Sequence, residues 1–493
     1  MKLINYKNIL SKITLKNSKI STVFRFPLPV SCAPSPVSRL LSPPYRLLIP
    51  VFYLLFLITF PVFSQQQVLT YDEAIRIALE QNIQIKQQQN NLKVSQAEKQ
   101  QSLANFLPGV SANGRGNRTD GRQWSNEESM MVNTTIDRAS YSIGADMTVF
   151  NGFRNVYRLQ QTNNLLEAQK QQVEQSKQDI IYRVSQQFIQ ILLDKELVLI
   201  AEQDVEVQRK LYEQLEVYVK TGARTKTELL SQEAQLKTSE VNLLSWQNQL
   251  RQDKASLAKT LFFDSEKEFN LLPANWNIDS ILNANYNIDS LYQTAFNSRP
   301  ELKMLEAEEK ANKSDIAISR SAYMPRVSIY YNYGSDYASN NRRFNPNDSL
   351  YYKIPFNDQL WKDNYSHQYG FNISIPIFTR LQTRTNVVRS KIDYENAKLE
   401  YQDFEMQLKI DIQNAHQDFI SKQETYLANR IRANASQLAY EKQQEMYRMG
   451  QGSLIDLNIE NRRRIEAQSE EAQAKYNLVF QQIVLEYHIG DLR

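Results

Sequence analysis

Two acidic residues each follow a hydroxyl residue at a spacing that is typical of the start of a helix. Glu228 follows Thr225 by three positions, and Asp456 follows Ser453 by the same interval. A hydroxyl residue followed three positions later by an acid fits a capping box, in which the side chains bond to backbone N–H groups at the start of a helix. The sequence therefore predicts that a helix begins at each of these two places.

Catalytic and redox chemistry find no support elsewhere in the chain. The three histidines, His367, His416 and His488, are scattered, and the single Cys32 cannot form an internal disulfide. We find no nucleophile paired with a base, no glycine-rich loop that could cradle phosphate and no cluster of metal ligands. The sequence predicts a protein that is not an enzyme and needs neither a cofactor nor a metal.

Composition restricts the class of protein. A hydrophobic content of 42% and a mean hydropathy of −0.54 argue against a polytopic helical membrane protein, but they suit a barrel that is apolar only on its outer face. Only 12 Gly and 15 Pro in 493 residues imply long uninterrupted elements. Residues 1–64 carry eight Lys/Arg and no acid, so the remainder holds 50 basic against 54 acidic residues, which speaks against a nucleic-acid partner.

The N-terminal region resembles a secretory signal. A basic, acid-free stretch precedes the apolar run Leu47–Phe63, and Ser64 follows it. We expect residues 1–64 to be a signal peptide with an extended n-region, cleaved near Ser64; an uncleaved membrane anchor is the alternative. No apolar run precedes Cys32, so lipid attachment there is not expected.

Two stretches alternate strictly between apolar and polar residues, YSIGADMTVF at 141–150 and YGFNISIPIF at 369–378. A half-buried strand of a soluble sandwich is one interpretation, but about ten residues of alternation also suffice for a tilted strand to cross a bilayer. We place Pro376 at the inner end of its strand or in a bulge. The residues expected to face the membrane are Tyr141, Ile143, Met147, Val149, Tyr369, Phe371, Ile373, Ile375 and Ile377.

Aromatic side chains near these stretches suit the two membrane interfaces. The outer set is Tyr330, Tyr331, Tyr333, Tyr365 and Tyr369, and the inner set is Phe150, Phe153 and Phe378.

The rest of the chain predicts long helices. Asn155–Thr221 contains neither Gly nor Pro and keeps heptad-like apolar spacing, which indicates a rod of about 100 Å. Further helices are expected at Tyr71–Phe106, Glu228–Leu261, Leu291–Tyr323, Arg389–Arg448 and Asp456–Gly490. Residues 262–288 are expected to form a small non-helical patch.

The order of predicted helices and strands occurs twice in the chain. Leu107-Pro108 matches Met324-Pro325 at a shift of 217, and Tyr141, Phe150 and Gly222 match Tyr369, Phe378 and Gly450 at a shift of 228. The difference falls in the second of two polar outer loops, Asn117–Arg138 and Asp336–Tyr365, where insertions are best tolerated. We expect two structural repeats, 65–288 and 289–493, each containing a helix, a hairpin, a long helix, a tip and a return helix.

Length matching suggests how the helices stack. The helix from Glu228 and the helix from Leu291 together nearly equal one long rod, so we expect them to lie end to end, with the N- and C-terminal helices stacking likewise. Four strands cannot close a barrel, because closure needs about eight. Three chains would supply twelve strands and an open bore, whereas two chains would supply eight and a plugged one.

The chain resembles the TolC-like outer-membrane efflux protein family. The resemblance rests on the duplicated plan, on the strand-to-helix junctions VFNGFRN at 149–155 and IPIF at 375–378, and on the tips VKTGARTKTELL at 219–230 and YRMGQGSLIDLNIE at 447–460. It implies a mainly α fold with a transmembrane β part, in which a homotrimer forms a 12-stranded outer-membrane barrel above a long periplasmic α-helical barrel.

The resemblance also implies site residues and partners. Thr227, Glu228, Tyr447 and Asp456 fall where the family places its periplasmic aperture, and carboxylate rings there favour cations. Gly222, Ala223, Gly450 and Gly452 fall at the tips that contact a periplasmic adaptor protein; a left-handed C-cap after a long helix is the primary reason for the glycines, and both roles can hold together. Gly452 stands where the family often has an arginine, and Ile459 where a second acidic ring would be.

The implied function is a passive exit duct of a tripartite efflux system, which carries small molecules such as drugs from an inner-membrane transporter through the adaptor to the exterior. Type I protein secretion uses the same part and remains an alternative. A structural coiled-coil protein of the periplasm is a further one, although it leaves the two alternating hairpins unexplained.

Overall fold

The computed structural model describes residues 67–125, 129–263, 269–272 and 276–492. The predicted signal peptide and Cys32 lie outside the described residues, as does part of the patch at 262–288. Within the described part of the chain, no helix combines the length and the apolar character needed to span a membrane.

Helices dominate the structure. They are α1 Tyr71–Gln81, α2 Ile83–Ala104, α3 Arg154–Lys220, α4 Lys226–Leu261, α5 Ile278–Leu282, α6 Ile288–Ser298, α7 Pro300–Ser321, α8 Phe356–Asp358, α9 Gln382–Arg448 and α10 Leu454–Ile489. A π-helical turn, Gln359–Asp363, follows α8. The strands are β1 Gln67–Leu69, β2 Gly109–Ser125, β3 Met130–Asn151, β4 Phe269–Leu271, β5 Arg326–Ala338, β6 Arg342–Asn345, β7 Leu350–Lys353 and β8 Ser366–Ser374.

Element lengths repeat through the two halves. The helices α1 and α6 have 11 residues each, α2 and α7 have 22, α3 and α9 have 67, and α4 and α10 have 36. Each long helix spans about 100 Å at 1.5 Å per residue. The predicted internal duplication is confirmed.

The four long strands form one antiparallel sheet in the order β2-β3-β5-β8. Paired residues point to the same face, so Ile143, Tyr333 and His367 share one side of the sheet. This side, which we call the apolar face, also carries Tyr369 and Phe371, 80% and 70% exposed. The opposite, polar face carries Gly144, Asn332 and Gln368 on one row, with further small and polar residues on neighbouring rows. A bulge at Val149 interrupts the pairing of β3 with β5.

The predicted first outer loop is wrong. Residues 117–138 do not form a polar loop, because β2 continues to Ser125 and β3 begins at Met130. Polar pairs across the ladder replace the apolar alternation here: Arg118 binds Asp137 at 2.6 Å, and the Thr135 hydroxyl donates to Asp120 at 2.8 Å.

The last predicted strand ends early. Strand β8 stops at Ser374, so Ile375 and Ile377 lie beyond it although the sequence placed them in the strand. Pro376 has no N–H group to donate to a ladder, which explains the end of pairing at this point.

The second outer loop is more ordered than its composition suggested. Strand β5 runs on to Ala338, β6 and β7 form a separate hairpin, and α8 with the π-helical turn returns to the sheet. Gln359 is fully buried there; its side chain accepts from the Ala338 N–H at 3.1 Å and donates to the Ile354 carbonyl at 2.9 Å. This glutamine fixes the loop against the outer end of the sheet.

The predicted stacking of the short helices is also wrong. The Asn82 side chain, at the start of α2, donates to the Thr260 carbonyl at the end of α4 at 3.3 Å. The Ser298 hydroxyl, beside the start of α7, donates to the Ile489 carbonyl at the end of α10. Each return helix therefore meets a helix of its own repeat, α4 with α2 and α10 with α7, because the predicted single helices break at Asn82 and at Arg299-Pro300.

The main core lies where these short helices meet α3. Its fully buried members include Ile180, Val184, Phe188 and Ile191 from α3, with Leu478 from α10. A second core of Leu215, Tyr440, Tyr447, Leu454 and Leu457 lies near the two helical tips. The long helices are thus fixed to one another both at mid-length and at the tips.

Candidate aperture at the helical tips

The first tip joins α3 to α4. Gly222 has φ +77°, in the left-handed region, and no atom of the described residues lies within 4 Å of the place where its Cβ would be. The Ala223 N–H donates to the Tyr218 carbonyl at 2.8 Å, which closes the last turn of α3. Conformation, and not crowding, accounts for the glycine in this chain.

The second tip, between α9 and α10, has nearly the same backbone. Gly450 has φ +76°, and the Gln451 N–H donates to the Met446 carbonyl at 2.9 Å. Gly452 differs, because a Cβ at that position would lie 3.1 Å from the backbone nitrogen of Tyr447. A larger residue there would press on the segment that carries Tyr447.

The two acids cap the helices that leave the tips. Thr225 and Glu228 form a complete capping box, with the Glu228 N–H donating to the Thr225 hydroxyl oxygen at 3.3 Å and the Thr225 N–H donating to the Glu228 carboxylate at 3.1 Å. At the second tip the Asp456 N–H donates to the Ser453 hydroxyl oxygen at 3.1 Å. The capping role predicted from sequence is therefore confirmed at both places, and it leaves a role in the aperture open.

Tyr447 is buried against the tip core. It is 8% exposed and packs with Leu215, Tyr440 and Leu454, and its hydroxyl has no hydrogen-bond partner among the residues that the structure describes. Burial raises the pKa of the Tyr447 phenol, while the nearby Arg224 acts in the opposite direction. A buried hydroxyl without a partner is costly, by about 1–3 kcal/mol.

Arg224 links the two tips, and the sequence analysis did not single it out. Its guanidinium lies 5.4 Å from the centre of the Tyr447 ring and 3.5 Å from the Glu228 carboxylate. The four-residue spacing between Arg224 and Glu228 was the available signal for that pair, but the contact with Tyr447 joins residues far apart in sequence. The structure thus brings Glu228 and Tyr447 together around Arg224.

The other predicted tip residues are on the surface. Thr227, Asp456, Gly222, Ala223 and Gly450 are exposed, and Gly452 is half-buried. The tips therefore present small residues and one acid at their ends.

A buried polar network connects the two helical hairpins above the tips. Asp204 of α3 accepts from the Ser239 hydroxyl of α4 at 2.6 Å and from the Asn461 amide of α10 at 2.7 Å. Arg464 in turn donates to the Asn461 side-chain oxygen at 2.8 Å and lies over the ring of Tyr440 in α9. All four long elements are joined here through one carboxylate and its partners.

The predicted membrane-facing residues that pair within the strands lie on the apolar face, whereas Val149 lies in the bulge of β3, outside the pairing. Tyr141 is half covered, because Trp361 of the second outer loop packs over it with ring centres 5.0 Å apart. Tyr330, placed by the sequence in the outer aromatic set, lies instead on the polar face, where its ring contacts Gly370. Among the described residues, no group of three His, Cys, Asp or Glu side chains is arranged to hold a metal ion.

Comparison with known proteins defines the family. The sequence model for outer membrane efflux proteins matches residues 74–261 and matches again at 291–491. The chain belongs to the outer membrane efflux protein family. The two matches coincide with the two halves of the duplicated fold, and no curated protein sequence matches the chain.

Solved structures of outer membrane channels and of a further outer membrane protein share this fold. The Campylobacter jejuni CmeC outer membrane channel superposes with a TM-score of 0.73 at 14% identity, covering 85% of this chain and 85% of CmeC. The open state of the Neisseria gonorrhoeae MtrE outer membrane channel gives 0.70 at 17% identity, covering 86% and 89%. The Vibrio cholerae outer membrane protein VceC gives 0.70 at 13% identity, covering 85% and 96%.

Family membership establishes the general role. The protein is located in the outer membrane and belongs to the efflux channels. These channels extend into the periplasm and are not enzymes. The TolC-like fold and the outer-membrane location predicted from sequence are confirmed.

Proposed function

We propose that three copies of this chain form the exit duct of a tripartite efflux system that passes small molecules from a periplasmic adaptor and an inner-membrane transporter to the exterior. Each copy contributes four strands to a twelve-stranded barrel and its long helices to a periplasmic tunnel. Residues 1–64 act as the signal peptide, and residues 65–288 and 289–493 are the two repeats.

The open sheet carries this proposal. In the described residues, β2 and β8 pair on one side only, which leaves two edges for neighbouring strands. On one face, the inner part of β3 together with β5 and β8 exposes large apolar residues, which suits lipid, and the other face exposes small and polar ones, which suits a water-filled bore. A sheet of this kind satisfies its backbone groups in a membrane only when closed by further copies.

At the inner end of the tunnel, Thr227, Glu228, Tyr447 and Asp456 contribute to the aperture. Threefold symmetry turns each exposed acid into a ring, which favours cations. The link from Arg224 to Tyr447 holds the two tips of one chain together and keeps the aperture narrow. The exposed Gly222, Ala223 and Gly450, together with Gly452, offer the adaptor a close backbone surface.

Purification from outer membranes in mild detergent tests the assembly. We expect a trimeric mass and a band whose migration changes on heating, whereas a monomeric mass would refute the proposal. Deletion of the gene should increase susceptibility to small toxic compounds. Loss of an exported protein without any change in susceptibility would instead support type I secretion.

A further inference from the structure

A groove with a volume of about 480 Å³ lies on the apolar face near the outer ends of the strands. Its lining comes from three strands and the second outer loop. The lining residues are Ile143, Tyr331, Tyr333, Trp361, Tyr365 and His367.

The strand register fixes one side of the groove. Ile143, Tyr333 and His367 stand side by side on β3, β5 and β8, with the rings of Tyr333 and His367 4.9 Å apart. Tyr331 stands one row nearer the periplasm, and its hydroxyl is 2.8 Å from Nδ1 of His367. This hydrogen bond satisfies one of the two imidazole nitrogens within an otherwise apolar and aromatic surface.

The second outer loop supplies the other side. Trp361 projects from the π-helical turn, packs over Tyr141 and remains 63% exposed. The adjacent Leu360 is 6% exposed, and buried Gln359 fixes the turn to the sheet. Trp361 is therefore held in a fixed position, and it adds apolar surface over Tyr141 of β3.

The chemistry of this groove favours a hydrocarbon occupant. Among the described residues that line it, none carries a carboxylate, ammonium or guanidinium group. The groove is continuous with the exposed apolar side chains of β8, among them Tyr369 and Phe371, which the proposed function places against lipid. Tyr and Trp side chains also suit the boundary between acyl chains and head groups.

We propose that this groove binds an acyl chain of an outer-leaflet membrane lipid, held between Trp361 and the row formed by Ile143, Tyr333 and His367. The inference rests on the proposed placement of the apolar face in the membrane. The bound chain seals the seam between the second outer loop and the strands. Polar atoms of the lipid lie near Tyr365 and His367, at the open side of the groove.

Native mass spectrometry of the purified, delipidated protein titrated with dioleoyl phosphatidylcholine tests the site. We expect one tightly held lipid per chain, and Ile143→Trp or Trp361→Ala should weaken this binding about tenfold, or about 1.4 kcal/mol. Ile329→Trp is the matched control for the first variant, because Ile143 and Ile329 are 47% and 45% exposed on the same face. Trp124→Ala controls for loss of an exposed tryptophan outside the groove.

Dihexanoyl phosphatidylcholine has the same head group with short chains, and we expect it to bind far more weakly. Equal lipid retention in all variants, or equal binding of the short-chain lipid, would overturn the acyl-chain site. Each preparation is also tested for heat-dependent migration and for conductance in planar bilayers. If the protein conducts but the variants bind lipid as the unmodified protein does, only the proposed acyl-chain site is refuted. If the protein folds but never conducts, the proposed function as a duct is refuted.

Discussion

The guanidinium of Arg224 lies 5.4 Å from the centre of the Tyr447 ring and so joins the tip between α3 and α4 to the tip between α9 and α10. A cation over an aromatic ring contributes about 0.5–1 kcal/mol at an exposed site. We therefore expect Arg224→Ala to raise the open fraction of the aperture about two- to fivefold, measured as time-averaged conductance in planar bilayers. Lys226→Ala removes a neighbouring charge as control, and conductance changes of equal size in both variants would contradict the specific link.

The acids at the tips can be tested separately from their capping role. Glu228→Gln preserves a capping box, because glutamine also bonds to the backbone at this position, so stability should change by less than about 0.5 kcal/mol. The double variant Glu228→Gln with Asp456→Asn should reduce the cation-to-anion permeability ratio in reversal-potential measurements. Glu98→Gln, an exposed acid in α2, provides the control. An unchanged cation-to-anion permeability ratio in the double variant would show that these acids do not line the aperture.

The buried network around Asp204 should contribute strongly to stability. Asp204→Ala leaves the Ser239 hydroxyl and the Asn461 amide without their acceptor, which we expect to cost about 2–3 kcal/mol and to lower the melting temperature of the detergent-solubilised protein. Faster proteolysis of the tip half of the helices should accompany this loss. Glu202→Ala, an exposed acid on the same helix, should have little effect. Similar melting temperatures for Asp204→Ala and Glu202→Ala would show that the network does not stabilise the packing of the four helices.

A second buried acid predicts a pH dependence. Burial raises the pKa of Asp194 to about 7, and the neighbouring Asp253 carboxyl adds to the rise. The folded state then binds more protons than the unfolded state between pH 4 and 7, so stability should fall as pH rises, by at most about 1.4 kcal/mol per pH unit for one proton. Asp194→Asn should flatten this slope in thermal melts from pH 5 to 8, and Glu202→Gln should not. A slope that is unchanged in Asp194→Asn would show that other groups are responsible.

Periodicity and length predicted much of this fold. The uninterrupted run from Asn155 allowed only a long helix, which the structure begins at Arg154, and the recurrence of Gly222 as Gly450 revealed the duplication. The caps at Glu228 and Asp456 followed from local spacing alone, since capping depends on residues three positions apart. These features are encoded locally and need no knowledge of distant contacts.

The incorrect predictions concern long-range partners. Nothing in the residues around Asn82 or Ser298 indicates that they bond to the ends of α4 and α10, so the stacking order could not be derived from length. The outer halves of β2 and β3 were missed because their stability comes from cross-strand pairs such as Arg118 with Asp137 and not from apolar alternation. Arg224 was missed for the same reason, because its aromatic partner belongs to the other repeat.

Because corresponding helices have equal lengths, the two helical hairpins of the periplasmic part end at the same level. Deleting two turns from α3 would raise one tip by about 10 Å relative to the other and would separate Arg224 from Tyr447. The same deletion made in α3, α4, α9 and α10 together would preserve that alignment and yield a shorter conduit. The length of the periplasmic part can therefore be changed by engineering only when all four helices are shortened by the same number of residues.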